Sequence, residues 1–319
     1  MITYKVNVLV IGAGPVGLYA AYLAKEKGLN VLLIEASKTI GGQPLVLYPV
    51  KDVHDYPGYT SISAIDLVEN FVKQCQHLKV DILTEITLKS YIRNDEHTLK
   101  CLLSNGSIVI TNNIVIATGN GLFLPNKLEI PGAEENPYIQ YLVNSYQPYI
   151  NKNIVILGGG DSAVDWANNI RTKANANVSI IHRREEFRAN GVNVAKLYDN
   201  KVNVILNSDS IEIKNKKTLV IKNKTSERVS DINFDYLIVQ YGQKVDLNLP
   251  SWMNEISLTT TKKIIVNQNN ETNIKNIYAI GNIVGYINRP NMIIAGHGEA
   301  ANAINDIVMK IRDYEALKK

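Results

Sequence analysis

Three glycines and one acid carry the first chemistry in the chain. Gly12, Gly14 and Gly17 stand in Gly12-Ala13-Gly14-Pro15-Val16-Gly17, with Glu35 eighteen residues beyond the last of them. This is the spacing of a dinucleotide-binding turn. The first glycine makes the tight turn, the second lets backbone approach a pyrophosphate, and the third lets helix and strand pack closely. Pro15 suits the first helical turn, where its missing N–H is not needed. A carboxylate at position 35 accepts hydrogen bonds from ribose hydroxyls and repels a 2′-phosphate. The first turn therefore reads as a site for an unphosphorylated adenosine, in NAD or FAD.

A second set repeats the pattern with the opposite charge. Gly158-Gly159-Gly160-Asp161-Ser162-Ala163 forms a glycine turn, and Arg183, Arg184 and Arg188 stand where the first copy has its acid. Guanidinium forks bind phosphate oxygens two at a time, which is what a 2′-phosphate requires. The bland alternative is a solvated loop in which Glu185 and Glu186 neutralise two of the arginines. Placement at the end of a strand favours phosphate, so the second site reads as one for NADPH.

Both sets need a strand, a turn, a helix and a further strand to hold them. Val6–Ile11 is a short apolar run that breaks at Gly12, after which Leu18, Ala21, Tyr22 and Lys25 keep helical spacing up to the strand Val31–Ile34. In the second copy Asn153–Leu157 precedes the turn, Val164, Ala167 and Ile170 follow at helical spacing, and Val178–Ile181 is the next strand. Two such βαβ units are an internal duplication of nucleotide-binding modules. The fold class is α/β with two Rossmann-like domains.

The segments between the copies read less regularly. A loop through Gly41-Gly42-Gln43 and Leu47-Tyr48-Pro49 to Tyr59 is long enough to be functional and is expected to cross the cofactor. A helix is expected from about Ala64 to His77, and residues 80–111 read as a meander with turns at Asn94-Asp95 and Asn105-Gly106. A separate strand, Asn113–Ala117, runs into the exit Thr118-Gly119-Asn120-Gly121. Residues 200–230 read as further loose strands, and Tyr236–Val239 as a buried strand. Lys263–Val266 and Asn276–Asn282 follow, and a final helix starts near Met292.

Composition narrows the class. A chain of 319 residues suggests two domains, and 45% hydrophobic residues is ordinary for a globular protein. A net charge of +4 with no long basic run gives no nucleic-acid surface, though a slight excess can help dock an acidic partner. No apolar run has the length of a membrane span, and no charged leader precedes the first strand. The two cysteines, Cys75 and Cys101, form no motif, which fits a reducing compartment. A cytoplasmic protein is expected. Among the five histidines, His182 belongs to the arginine motif and His297, between Gly296 and Gly298, reads as packing or as a neighbour of the cofactor. No metal-ligand spacing appears.

Taken together, these motifs resemble the two-dinucleotide flavoproteins of the thioredoxin-reductase type, over nearly the whole chain. The carriers of the resemblance are Gly12, Gly14 and Gly17, Ala117-Thr118-Gly119, Gly158 to Ala163, His182 to Arg188, and Tyr278-Ala279-Ile280-Gly281-Asn282. Thioredoxin reductases carry a Cys-x-x-Cys pair in the inserted domain, and this chain has none, which removes an internal dithiol relay. Gly41-Gly42-Gln43 with Leu47-Tyr48-Pro49, and Thr118 to Gly121 followed by Phe123 and Pro125, look like the ferredoxin/flavodoxin–NADP⁺ reductase branch.

That resemblance implies a discontinuous FAD domain, residues 1–118 and 243–319, with an NADPH domain of residues 119–242 inserted between hinges near Thr118-Gly119 and Gly242-Gln243. It implies that Glu35 binds the FAD ribose, that Gly42 and Gln43 lie against the flavin, that Tyr48 stacks on its ring, and that Ile86 and Phe123 touch it. Gly158, Gly160, Asp161, Ser162, Arg183, Arg184 and Arg188 are the implied NADPH residues. Asn282 stands where the family usually has an acid for the ribityl chain. The last helix runs almost to Lys319, so the extension that covers a flavin face is expected to be short. No side-chain nucleophile is required, because the cofactor carries the chemistry. The implied activity is electron transfer from NADPH through FAD to ferredoxin or flavodoxin, in a homodimer. The alternatives are a reductase for a haem- or iron-releasing system, for quinones or for a small disulfide, and a non-catalytic redox sensor.

Overall fold

Thr3–Ile11 is the spine of the first sheet. In the computed structural model, which describes residues 2–121, 123–245 and 249–317, this strand lies between Val31–Ile34 and Ile108–Ile116 and runs parallel to both. Asp81–Leu83 adds a parallel edge strand beyond Val31–Ile34. Leu99–Leu103 and Leu88–Arg93 continue the sheet antiparallel on the other side. Ile277–Ala279, from far along the chain, pairs parallel with Ile108–Ile116.

Both faces of this sheet are covered, so its central strands are apolar throughout rather than alternating. Val8, Val10, Leu33 and Val115 point to one face, where three helices pack: α1 (Pro15–Glu26), α3 (Ala64–His77) and α6 (Ile293–Leu317), with the five-residue α2 (Gln43–Leu47) between the first two in sequence. Leu9, Ile11, Leu32 and Ile34 point to the other, against Leu99, Cys101, Met253, Ile256 and Ile264.

The second sheet has five parallel strands in the order Ile139–Gln140, Tyr236–Val239, Asn153–Leu157, Asn177–Ile181, Asn203–Ile205. Helices α4 (Asp161–Lys173) and α5 (Gly191–Asp199) belong to it. Ser208–Lys214, Thr218–Asn223 and Val229–Asn233 form an antiparallel sheet of their own, and Phe123–Pro125 pairs with Gln243–Val245. The chain divides into two units, Met1–Leu122 with Asp246–Lys319, and Phe123–Val245.

Three local expectations change. Ile108–Ile116 is one strand, not the end of a meander followed by a new strand. Thr111 and Asn113 interrupt the apolar run, but the Thr111 hydroxyl donates to the Asn113 carbonyl at 2.9 Å, so the polar pair stays inside the sheet. Asp81–Leu83 leaves the meander and joins Val31–Ile34. Lys263–Val266 is not a regular strand. Ile264 alone bridges Leu258 and Val284, which sets the Lys263 backbone beside the segment after Asn282. No helix among the described residues is long and apolar enough to cross a membrane.

Candidate functional site

The first glycine turn is built so tightly that side chains are excluded. Gly12 has φ +105°, and a Cβ there would stand 2.6 Å from the Ala117 carbonyl oxygen. A Cβ on Gly17 would come within 1.8 Å of the Gly12 oxygen, so α1 can meet the strand only through a glycine. The Gly12 N–H donates to the Ile34 carbonyl at 2.8 Å, which ties the turn to the second strand.

Glu35 closes the same turn. One carboxylate oxygen accepts from the Ala13 N–H at 2.7 Å and the other from the Ser37 N–H at 2.8 Å. Each oxygen keeps a further lone pair for a hydroxyl donor. The sequence pattern gave no sign that Glu35 also braces the glycine turn, since the partner lies 22 residues away. Ile86 sits next to it, its N–H donating to the Glu35 carbonyl at 2.9 Å.

The loop after Glu35 lies directly on the turn. The Gly41 N–H donates to the Ala13 carbonyl at 2.8 Å, and a Cβ on Gly42 would stand 2.8 Å from the Gly14 Cα. Gly42 caps α2 at φ +62°, and Pro44 follows Gln43 in the first turn of that helix. The Gln43 side-chain amide nitrogen is buried and has no hydrogen-bond partner. It lies 3.9 Å from where a Cβ on Gly119 would be. A buried, unpaired amide costs free energy unless a ligand supplies an acceptor. That orphan donor, beside a backbone cradle a Cβ would fill, fits a flavin dinucleotide. Tyr48 ends α2 half-buried, packed at the edge of the core, and burial raises its phenol above the usual range, with Asp55 adding to the shift.

The Gly281-Asn282 turn, marked in the sequence, is surrounded by a polar cluster of Glu299, Arg289 and Lys263 that was not. A Cβ on Gly281 would meet Val16 in the first turn of α1 at 3.4 Å. The Gly281 N–H donates to Glu299 at 2.6 Å, and Arg289 grips the same carboxylate from Nε at 2.7 Å and Nη2 at 3.0 Å. Both side chains are about 5% exposed. Arg289 Nη1 also donates to the Asn282 side-chain oxygen at 3.1 Å. The Lys263 ammonium donates to the Asn120 side chain and to the Asn282 carbonyl. The one local signal was an acid, Glu299, on the apolar face of α6 beside two glycines.

His297 is a packed residue of α6. It is 4% exposed, stacks on Tyr19 at 4.5 Å and meets Tyr56 and Phe71 edge-on. Its Nε2 faces the Pro15 carbonyl at 3.2 Å and its Nδ1 faces the Tyr56 hydroxyl at 3.0 Å. A carbonyl only accepts, so Nε2 carries the proton and Tyr56 donates to Nδ1. Burial pushes the imidazole pKa down to about 4.

In the second unit, Gly158 has φ +150° and a Cβ there would meet the Gln240 carbonyl oxygen at 2.6 Å. A Cβ on Gly159 would enter the His182 ring, which stacks on Phe187 and is buried. Gly160 caps α4 with nothing within 4 Å of its missing Cβ, and Ser162 is exposed beside it. The Asp161 carboxylate accepts from the Asn190 N–H at 2.8 Å, and the Arg188 N–H donates to the Gly159 carbonyl at 2.8 Å. These two bonds fold the arginine loop back on the glycine turn. Arg183, Arg184 and Arg188 are exposed. Among the described residues no ion pair joins any of them to Glu185 or Glu186. Burial lowers the His182 imidazole, and the three guanidinium charges nearby lower it further. Phe123 opens a strand of this unit, and its side chain lies outside the described residues.

Residues 6–303 match the model of the family described as Pyridine nucleotide-disulphide oxidoreductase. The chain belongs to that family. This oxidoreductase family uses FAD and NADPH. A ferredoxin–NADP reductase from Malacoplasma penetrans is 35% identical over 318 residues, covering 97% of this chain and 98% of that protein. Ferredoxin–NADP reductase 2 of Bacillus subtilis is also 35% identical, over 94% of this chain and 91% of its own length. The solved thioredoxin reductase of Lactococcus lactis superposes with a TM-score of 0.73 at 27% identity, over 96% of this chain and all of that one. A family member that reduces disulfides with its own cysteines needs a paired, reactive thiol. Cys75 and Cys101 are both free and buried, and burial pushes their thiols up to about 11 and about 12. Neither provides a thiolate at neutral pH.

Proposed function

We propose that the chain is an NADPH-dependent flavoprotein reductase that passes electrons through FAD to a small one-electron carrier of the ferredoxin or flavodoxin kind. The supporting observation is the contrast between the two glycine turns. The first ends at a carboxylate, Glu35, and the second at three exposed arginines that, among the described residues, have no ion-pair partner. An acid suits the unphosphorylated adenosine of FAD, and free guanidinium groups suit the 2′-phosphate of NADPH. The ferredoxin–NADP reductase names of the M. penetrans and B. subtilis relatives support the carrier.

On this reading residues 1–118 and 243–319 form the FAD domain and 119–242 the NADPH domain. Gly12, Gly14 and Gly17 would admit the pyrophosphate, Glu35 would accept from the ribose, Gly42, Gln43, Tyr48, Ile86 and Asn282 would hold the rest of FAD, and Phe123 is assigned to FAD by the resemblance alone. Gly158, Gly160, Asp161 and Ser162 shape the nucleotide turn, and Arg183, Arg184 and Arg188 hold the phosphate. FAD, when bound, would accept one hydride, a pair of electrons, and can release electrons singly. The protein's part is positioning: the glycine turns would admit backbone to the pyrophosphates, and the buried, unpaired Gln43 amide would donate to an acceptor on the flavin. A homodimer in the cytoplasm completes the proposal.

Acceptor profiling of the purified protein tests it. Rapid NADPH bleaching of bound FAD, followed by reoxidation with ferredoxin or flavodoxin, is the expected result. Rapid bleaching with no reduction of either carrier overturns the carrier assignment.

A further inference from the structure

The cluster at Gly281-Asn282 is not balanced in charge. Glu299 is the single carboxylate within it, and its oxygens are taken by Arg289, the Gly281 N–H and the Tyr286 hydroxyl. Lys263, half-buried beside it, hydrogen-bonds only neutral oxygens, those of the Asn120 side chain and the Asn282 carbonyl. Among the described residues no carboxylate stands within ion-pair distance of its ammonium. An ammonium withdrawn from water beside another cation is unfavourable unless a negative charge arrives.

The lysine is held in that position by its surroundings. A Cβ on Gly285 would strike the Lys263 Cβ at 2.5 Å and approach its Cγ at 3.3 Å, so the lysine stem lies on bare backbone. The backbone around it is fixed: the Lys263 N–H donates to the Thr259 hydroxyl at 3.1 Å, and the Ile264 N–H to the Ile283 carbonyl at 2.8 Å. From there the ammonium bridges two segments that leave adjacent strands of the first sheet. One is the exit after Ile108–Ile116, at Asn120, and the other is the turn after Ile277–Ala279, at Asn282. Gly281 rests on Val16 in the first turn of α1, so the cluster lies one residue layer from the glycine turn.

We propose that Lys263 is a positioning residue for the flavin, clamping residues 118–121 to the Gly281-Asn282 turn and favouring the reduced flavin by its uncompensated charge. This rests on FAD occupying the first glycine turn. When the C4–H bond of NADPH breaks and its electron pair moves with the proton to the flavin, the flavin gains one negative charge and the nicotinamide one positive charge. A cation beside the flavin would therefore favour the reduced form over the oxidised one, and Lys263 is the residue that would supply it. Asn282 matters for the same reason: an acid there would cancel that charge.

The test is the midpoint potential of FAD in the purified holoprotein, measured for wild type, Lys263→Gln, Lys263→Arg and Asn282→Asp. Lys263→Gln is expected to lose about tenfold in relative affinity for reduced over oxidised FAD. That equals a fall of about 30 mV for a two-electron couple. Lys263→Arg keeps the charge and is expected near wild type, while Asn282→Asp is expected to fall like Lys263→Gln. An unshifted potential in Lys263→Gln with FAD bound overturns the proposal. So does a fall in Lys263→Arg as large as in Lys263→Gln, which marks a purely structural clamp. If Lys263→Gln does not fold, Asn282→Asp decides alone, and an unshifted potential there overturns it. Purified wild-type protein that binds no FAD sinks the FAD assignment itself, and is told apart by its missing visible absorbance.

Discussion

Gly42 and Gly14 meet backbone to backbone, with room for no side chain: a Cβ on Gly42 would lie 2.8 Å from the Gly14 Cα. The contact sets the loop that carries Gln43 directly on the glycine turn. Gly42 also holds φ +62° with ψ −150°, a region essentially restricted to glycine that costs another residue about 1–3 kcal/mol. Gly42→Ala is therefore expected to release FAD at least tenfold more readily while the far-UV circular dichroism stays native. Retention of FAD through gel filtration at wild-type level would count against the contact.

The arginine loop sets coenzyme choice. Loss of a charged hydrogen bond to phosphate costs about 1.5–3 kcal/mol, so Arg183→Ala with Arg184→Ala is expected to lower kcat/KM for NADPH by one to two orders of magnitude or more. The rate with NADH, which has no 2′-phosphate, is expected to change little. Steady-state kinetics with both coenzymes settles the assignment, and an unchanged NADPH preference refutes it.

Both cysteines are expected to be silent towards thiol reagents in the native protein. Their thiols are buried and pushed up to about 11 and about 12. A chromogenic disulfide reagent at pH 8 should find none in the folded chain and two in denaturant. Rapid native labelling would contradict the packing of Cys75, whose thiol donates to the Leu18 carbonyl at 3.2 Å.

Acid is expected to loosen the contact between α1 and α6 through His297. Its folded pKa is about 4, well below the ordinary value of 6.5, so the unfolded chain binds the proton more readily. Stability from the neutral imidazole is complete above pH 6.5 and is lost as pH falls towards 4, by about 3 kcal/mol in all. His182, lowered by its own burial, acts in the same direction in the second unit. Denaturant melts of wild type and His297→Phe between pH 7 and pH 4 check this. A variant with the same pH slope as wild type would show that His297 does not set the acid sensitivity.

How much of this the sequence carries depends on chain distance. The glycine turns, Glu35 and the arginine motif are legible because each is a short run whose spacing encodes one strand, turn and helix. The parallel sheets follow from the same units. What escaped was assembled across long separations: Lys263 reaches Asn120, 143 residues away, and His297 reaches Pro15, 282 residues away. No local pattern marks a lysine that bridges two glycine-rich exits. Lys263–Val266 reads as a strand by its β-branched run, yet its neighbours offer only single bridges at Ile264, so the run stays irregular. Thr111 to Asn113 misled in the other direction, because polar residues can remain within a buried strand when their polar groups are hydrogen-bonded.

At the centre stands a two-step electron path: NADPH, its 2′-phosphate held by the arginine turn, would give a hydride to FAD in the first turn, and the electrons would leave FAD singly. Anaerobic stopped-flow mixing of the holoprotein with NADPH, then with oxidised ferredoxin or flavodoxin, tests it most directly. The visible flavin absorbance is expected to bleach on mixing with NADPH and to return on adding carrier, with the carrier reduced in step. Flavin that stays oxidised with NADPH, or reduced flavin that transfers nothing to either carrier, would contradict it.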